Sequence, residues 1–199
     1  MGLDQYLNIT ITNSKSTITP EKLQNAKETL NSLLKPYQIS DIYTINPKYP
    51  TVELEPVVNI DGYNTDTYEL FDISSVKHYY RKANQIQNYF EERFCEDGND
   101  YDGDDYDDIA TKVDDLTIDD IIEHIDNIEA SENKEETAKE EFPTTEGFFY
   151  GSTEYDESYF GSNDEFKHDL ISLQKIRNEI NQKLENTDYH AVITYSSWW

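Results

Sequence analysis

The sequence predicts a single α+β domain over residues 1–199, in which three to four helices pack a small mixed or antiparallel sheet that carries an acidic insertion. Some short stretches are β-branched and alternate in polarity, whereas longer stretches repeat apolar residues every three or four positions. The two kinds of segment do not alternate regularly enough for a doubly wound sheet. Of the 199 residues, 36% are hydrophobic and 13% aromatic, which is enough for one core.

The chain opens with a predicted strand at residues 6–12, because YLNITIT alternates and is β-branched. A helix is predicted next at 20–35, with Thr19 as its N-cap and Pro20 at its first position. Pro36 ends this helix. Its apolar stripe consists of Leu23, Ala26, Leu30, Leu33 and Leu34.

Two extended segments are predicted at 52–59 and 68–72, and Asp61-Gly62 is a plausible hairpin turn between them. A second helix is predicted over residues 74–94. Its stripe consists of Val76, Tyr79, Tyr80, Ala83, Ile86, Phe90 and Phe94.

A third helix is predicted after the acidic insertion, because Thr117 begins a capping pattern with Asp120 three residues later. Its stripe consists of Ile118, Ile121, Ile122, Ile125 and Ile128. Residues 131–141 are predicted to be a charged linker within the domain, since they hold little that can be buried.

Aromatic, glycine-punctuated segments at 148–151 and 155–160 are predicted as strand or ordered loop. The last predicted helix spans about 163–186 and is capped by Ser162 or Asn163. Its stripe consists of Phe166, Leu170, Leu173, Ile176, Ile180 and Leu184. Residues 189–195 alternate and are predicted as the final strand.

The acidity of the chain is concentrated in one region. The chain has 42 acidic and 16 basic residues, and residues 91–141 alone hold 22 acids and 4 bases. The region is centred on an Asp-rich loop at 96–108. A formal net charge of -26 argues against direct binding to bare nucleic acid or to an anionic membrane, because both require cationic side chains. The charge favours a basic protein partner.

Cysteine content and hydropathy indicate a cytosolic protein. The single cysteine, Cys95, excludes an internal disulfide framework and is typical of a reducing compartment. No apolar run approaches the roughly 18 residues of a membrane span. The oligomeric state stays open, and a homo-oligomer is compatible with the sequence.

Four sequence blocks together resemble a family of small uncharacterised bacteriophage and prophage proteins. The blocks are MGLDQYL at 1–7, YRKANQIQNYF at 80–90, TEGFFYGSTEYDE at 145–157 and YSSW at 195–198. Family members typically open with MGLDMYL, carry a YWRKAN helix and a GFFFGS-YDE segment, and end in an aromatic SW. The present chain differs at Gln5, Tyr80 and Gln87, where the family has Met, Trp and His. The resemblance implies a phage origin, hence the host cytoplasm, and one continuous fold, but no activity.

The Asp-rich loop does not match a calcium-binding EF-hand. If Asp100 takes position 1, Asp102 and Asp104 take positions 3 and 5, but Asp105 replaces the glycine of position 6 and Thr111 replaces the glutamate of position 12. A solvated acidic loop with weak cation condensation is therefore expected, and neither a metal site nor a cofactor is predicted.

The sequence gives no catalytic constellation, so we predict that the protein is not an enzyme. Its four histidines, His78, His124, His168 and His190, fall on different predicted elements, and HExxH, CxxC, GxSxG, GxxxxGK[ST] and GxGxxG motifs are absent. Ser172-x-x-Lys175 lies in the middle of a predicted helix.

Two further features leave alternatives open. Arg81-Lys82 is the densest basic point, and beside Tyr79 and Tyr80 it could contact a nucleotide, although such a pair usually lies on the solvent face of a helix. Tyrosines set among the acids supply either rigid contact area for a partner or packing for a polar loop. They are Tyr101, Tyr106, Tyr150, Tyr155 and Tyr159.

These observations predict a phage-encoded, non-enzymatic inhibitor of a host defence protein, such as a CRISPR effector or another immune nuclease. Its acidic surface would occupy a basic, nucleic-acid-binding groove by imitating nucleic acid. Alternatives are an acidic adaptor or inhibitor that acts by shape, and a small nucleotide-ligand sponge or hydrolase. The predicted partner-binding residues are Asp97, Asp100, Tyr101, Asp102, Asp104, Asp105, Tyr106, Asp107, Asp108, Asp114, Asp115, Asp119, Asp120 and Glu123.

Overall fold

A computed structural model describes residues 2–44, 48–60, 64–96, 111–147 and 150–198. Within these ranges the chain forms nine strands, five α-helices and a short 3-10 helix at Ser74–Val76. The strands are β1 Asp4–Asn13, β2 Thr17–Ile18, β3 Ile39–Asp41, β4 Val52–Glu53, β5 Pro56–Asn59, β6 Asn64–Ile73, β7 His78–Arg81, β8 Thr111–Val113 and β9 His190–Trp198. The helices are α1 Pro20–Leu33, α2 Asn84–Glu96, α3 Asp115–Ala130, α4 Lys134–Glu141 and α5 Glu157–Leu184. The predicted α+β class is confirmed.

The main sheet is mixed and has seven strands in the order β3-β6-β5-β8-β9-β1-β7. Among the described strands, β5 and β8 form the one parallel pair. An additional pairing joins β6 to β1, so that β1, β9, β8, β5 and β6 close a ring of five strands. The strand β1 is central, since it pairs with β9 from Asp4 to Thr12. Strands β2 and β4 form a separate small sheet.

The helices cover one face of this sheet. Leu7, Ile9 and Ile11 alternate along β1 and belong to one contiguous buried cluster with the apolar faces of the helices. Phe90 of α2 stacks on Tyr195 of β9, with ring centroids 3.8 Å apart.

The predicted elements at both ends of the chain are confirmed. The strand predicted at 6–12 lies within β1, and the strand predicted at 189–195 corresponds to β9. The side chain of Thr19 caps α1 as predicted by accepting a hydrogen bond from the Lys22 amide.

The helix predicted over 74–94 is wrong in its first half. The structure has the 3-10 helix, the strand β7 and then α2, which begins at Asn84. In β7 the side chain of Tyr80 is buried and that of Tyr79 is exposed, as expected for an alternating strand. Pairing with β1 accounts for this outcome, because Gln5 and Tyr6 lie opposite Tyr80 and Tyr79. Lys82 then ends the strand with a positive φ of 60°.

The structure corrects two predictions around α3. The N-cap is Asp114 and not Thr117, and the Asp114 side chain accepts hydrogen bonds from both the amide and the hydroxyl of Thr117. The predicted linker at 131–141 contains the helix α4. This helix is held because Ala138 and the following Phe142 are buried.

The last helix begins earlier than predicted. Asp156, and not Ser162 or Asn163, caps α5 by accepting hydrogen bonds from the Ser158 and Tyr159 amides. The segment predicted as strand or loop at 155–160 is therefore mostly helical. Tyr159 stabilises this extra turn, because its buried hydroxyl donates to the Phe142 carbonyl over 2.7 Å.

Some predicted features lie outside the described residues. They are the Asp61-Gly62 turn, Phe148 and Phe149, and most of the Asp-rich loop. In the part of the chain that the structure describes, no helix is long and apolar enough to cross a membrane.

Candidate functional site

The predicted partner-binding residues fall into two groups. Nine lie outside the described residues: Asp97, Asp100, Tyr101, Asp102, Asp104, Asp105, Tyr106, Asp107 and Asp108. The other five, Asp114, Asp115, Asp119, Asp120 and Glu123, lie on α3 or cap it.

Asp114 and Asp115 have structural partners. Asp114 is the N-cap described above. The Asp115 carboxylate accepts hydrogen bonds from Gln174 at 2.7 Å and from Arg177 at 2.8 Å on α5. These two bonds, with that of Gln174 the larger cause, hold the pKa of Asp115 below its usual range. Its side chain is still 59% exposed, so it can also contribute to a surface.

Asp120 joins a polar network between α2, α3 and α4. Its carboxylate accepts hydrogen bonds from the Tyr89 hydroxyl at 2.7 Å and from Arg93, and lies 3.4 Å from Nε2 of His124. The Nδ1 atom of the same histidine lies 2.7 Å from the Glu141 carboxylate. The network fixes α3 against its neighbours, so Asp120 is not an independent surface charge.

Asp119 and Glu123 are exposed carboxylates one helical turn apart. Within the described ranges neither side chain has a hydrogen bond or an ion pair. With Asp115 and Asp126 they form what we call the acidic stripe, whose positions span an arc of about 80° at 100° per residue. Residues four apart are separated by about 6 Å along the axis. The stripe is thus a row of regularly spaced carboxylates.

The sequence interpretation missed Asp126, which completes the stripe and pairs with Lys167 of α5. The spacing of four, four and three residues along a predicted helix was a sufficient signal for it. Acidic side chains continue beyond the stripe, because residues 111–141 contain 12 acids and three lysines. Glu132, Glu136 and Glu140 are exposed on and before α4.

The structure brings two of the histidines together. The buried Asp169 of α5 has Nδ1 of His78 at 2.8 Å and Nδ1 of His168 at 3.5 Å, and accepts a hydrogen bond from the Tyr80 hydroxyl at 2.5 Å. Burial and then this hydrogen bond raise the pKa of Tyr80. Among the residues with described side chains, no cluster of three or more His, Cys, Asp or Glu has the geometry of a metal site.

Arg81 and Lys82 lie at the turn between β7 and α2, and not on the face of a helix. They line a cavity of about 210 Å³ together with Ser152, Glu154 and Asp156. The two carboxylates offset the two cations, so the cavity is not distinctly basic.

The four sequence blocks meet in space. The Gln5 amide donates to the Ala83 carbonyl and accepts from the Ala83 amide, each over 3.0 Å. The same Gln5 amide donates to the Tyr195 hydroxyl, which donates to Gln87, each over 2.8 Å. Asn84 donates to the Ser152 carbonyl over 2.5 Å. Gln5 and Gln87, which belong to two different blocks, thus share one partner.

These features define an acidic α+β protein with a row of exposed carboxylates on α3. Comparisons with protein-family models, with curated proteins and with solved structures found no match for this chain.

Proposed function

We propose that this protein is a phage-encoded, non-enzymatic inhibitor that acts in the host cytoplasm on an antiviral defence protein, such as a CRISPR effector or another immune nuclease. Its acidic surface occupies a basic groove that otherwise holds nucleic acid. The observation that carries the proposal is the acidic stripe, in which Asp119 and Glu123 are exposed on a rigid helix. A groove that binds a polyanion through Lys and Arg will also bind carboxylates arranged in a row.

The position of the stripe adds support. The strand β8 and the helix α3 directly follow the Asp-rich loop in the chain, so the loop and the stripe belong to one acidic region. Because Asp115 bonds Arg177 and Asp126 bonds Lys167, the helix that presents the stripe is fixed on α5. A fixed charge pattern loses less conformational entropy on binding than a mobile one.

The internal pairing also favours one alternative. Asp115, Asp120 and Asp126 each form an ion pair with a basic side chain of the same protein. These ion pairs reduce the negative electrostatic potential at the protein surface. An acidic adaptor or inhibitor that binds by shape, without imitating nucleic acid, would tolerate this reduction. The salt dependence of binding distinguishes the two functions. Affinity based on charge falls steeply as the ionic strength rises, whereas affinity based on shape does not.

The test uses a broad panel of purified defence nucleases, including a CRISPR effector and a restriction endonuclease, each bound to labelled duplex DNA. We expect the protein to displace DNA from at least one such nuclease, and to do so less well at about 200 mM than at about 50 mM salt. The double variant Asp119→Asn/Glu123→Gln should weaken displacement about three- to tenfold. The control Glu21→Gln/Glu28→Gln removes the same charge from exposed positions of α1.

Equal effects of the two double variants would assign the result to net charge and not to the stripe. Displacement that is independent of salt would favour the shape-based alternative. Failure to displace DNA from any nuclease of a broad panel would contradict the proposal.

A further inference from the structure

A cavity of about 410 Å³ is lined by α1 and by the turn that joins β1 to β2. One side of it is a single face of α1, since the four residues that this helix contributes fall within an arc of about 100° at 100° per residue. They are Lys22, Asn25, Ala26 and Thr29. Small-molecule sites in proteins usually have volumes of roughly 300 to 1,000 Å³, so the cavity can hold a small organic ligand.

Two lysines of this cavity have no acidic partner. In the described part of the chain, no carboxylate lies within 4.0 Å of Lys15 or Lys22, whereas Lys27 on the same helix lies 2.5 Å from Asp41. Among the described residues that line the cavity, Asp188 is the one acid. Two lysines against one aspartate leave the lining with a positive charge.

The sequence around the cavity is also positive, although the whole chain is negative. Residues 1–36 hold four basic and three acidic residues, whereas the formal net charge of the chain is -26. At physiological ionic strength, charges are largely screened beyond about 8 Å. The lysines that line the cavity therefore decide which charge it prefers, and they favour an anion.

The backbone that carries the two lysines is fixed. The Lys15 amide donates a hydrogen bond to Oδ1 of Asn13 over 2.9 Å, and Asn13 is buried at the end of β1. The Lys22 amide donates to the hydroxyl of Thr19, the N-cap of α1. A site whose backbone is already ordered loses less entropy when a ligand binds.

The remaining lining suits the neutral part of an organic anion. Tyr189 packs against the hydrophobic core and presents an aromatic ring, on which a nucleobase can stack. The neighbouring Asp188 is exposed, and a carboxylate in such a place accepts hydrogen bonds from ribose hydroxyls. Within the described ranges, the side chains of Thr17 and Asn25 have no hydrogen bond to the protein, so they can bond to a ligand.

We propose that this cavity binds a nucleoside monophosphate. The phosphate contacts Lys15 and Lys22, which match its charge of about -1.5 to -2 at pH 7. The ribose donates a hydrogen bond to Asp188, and the base stacks on Tyr189. The site is distinct from the nucleotide contact that the sequence left open at Arg81-Lys82. It is also separate from the acidic stripe and does not depend on the proposed function.

The test is calorimetric titration of the full chain with AMP, GMP, CMP and UMP in phosphate-free buffer at about 150 mM NaCl. We expect at least one of the four to bind once per chain with a Kd of about 100 μM or lower. The corresponding nucleoside and inorganic phosphate should each bind at least about tenfold more weakly, because each makes only part of the contacts.

Two variants separate the contributions of the phosphate and of the base. Lys15→Gln/Lys22→Gln should weaken binding of the nucleotide at least about tenfold, to an affinity near that of the nucleoside. Tyr189→Leu should weaken it about fivefold or more and leave the binding of inorganic phosphate unchanged. The matched control is Lys35→Gln/Lys175→Gln, which removes the same charge from exposed positions outside the cavity and should keep full affinity.

Three results would overturn the proposal. The first is that none of the four nucleotides binds at about 1 mM. The second is that inorganic phosphate binds as tightly as the best nucleotide, which would mean a simple anion site. The third is an equal loss in the lysine variant and in its control, which would assign the effect to net charge. If Tyr189→Leu does not fold, the lysine variant still decides, because both of its substitutions are at exposed positions.

Discussion

At the scale of single residues, aspartates that look alike in the sequence have different roles on α3. Asp114 satisfies backbone donors at the helix start, Asp120 holds three neighbouring side chains, and Asp119 contacts solvent. Spacing and charge cannot separate these roles, because each depends on what the rest of the fold brings nearby.

We predict that Asp114→Ala lowers the free energy of unfolding by about 1 kcal/mol, because the first turn of α3 loses its cap. Asp119→Ala should change it by less than about 0.5 kcal/mol, since an exposed and unpaired side chain is removed. Urea unfolding of both variants measures the difference. Equal losses would mean that Asp119 has a structural role and is a poor candidate for partner binding.

We also predict that Tyr195→Phe lowers the free energy of unfolding by about 1 to 3 kcal/mol. The substitution leaves the buried Gln5 and Gln87 amides without their shared hydroxyl, while the ring can still stack on Phe90. Tyr49→Phe is the control, because Tyr49 is 64% exposed, and it should be neutral. Thermal or urea unfolding of the pair checks this, and a neutral Tyr195→Phe would show that water replaces the hydroxyl.

At the scale of secondary structure elements, the turn from β7 to α2 shows how far the sequence can predict the fold. The stripe from Val76 to Phe94 fits a helix. A strand over His78–Arg81 that buries Tyr80 and exposes Tyr79 fits the order of residues in the first part of the stripe equally well. The choice depends on pairing with β1, about 75 residues earlier, as in the hydrogen bond between Tyr79 and Asp4. Elements with a strong local signal, such as α1 and α5, were predictable except for the start of α5.

In the candidate site, too, the features with a local sequence signal were predictable, and those that depend on distant contacts were not. The amphipathic helix that became α3 was predictable, and so was its acidic polar face. Which carboxylates remain unpaired was not, because Arg93, Lys167 and Arg177 reach the others from different helices. The helix α4 was missed because its own sequence has almost no apolar residues, and tertiary burial of Ala138 decides the outcome.

Lys82 provides a test at this scale. A non-glycine residue with a φ of 60° costs about 1 kcal/mol, so Lys82→Gly should leave the free energy of unfolding unchanged or raise it by up to that amount. Lys82→Val should lower it, because β-branched side chains tolerate this conformation least. Urea unfolding measures both variants. A destabilising Lys82→Gly would show that the lysine side chain itself stabilises the turn.

At the scale of the whole molecule, residues 91–141 hold 22 of the 42 acidic residues and also supply the buried isoleucines of α3. The buried apolar side chains of the described helices and strands form one contiguous cluster. In the chain, the Asp-rich loop lies between α2 and β8.

We predict that the domain folds without the Asp-rich loop. Replacing residues 96–108 by a short Gly/Ser linker should preserve a single cooperative unfolding transition. At low salt the Tm should rise slightly, because repulsion among the acids is removed, and the gain should shrink at high salt. Differential scanning calorimetry at both salt concentrations checks this. Loss of the transition would place the loop in the core.

The long pairing of β1 with β9 has a consequence for synthesis of the protein. Thr12 and His190 form a hydrogen bond although they are 178 positions apart. A ribosome adds about 5 to 20 residues per second, so roughly 9 to 36 s pass between the two. During that time the nascent chain can form β6 and β7 beside β1 but must leave its other edge open. Such an edge is a template for wrong pairing, which makes newly made chains the form of this protein most in need of a chaperone.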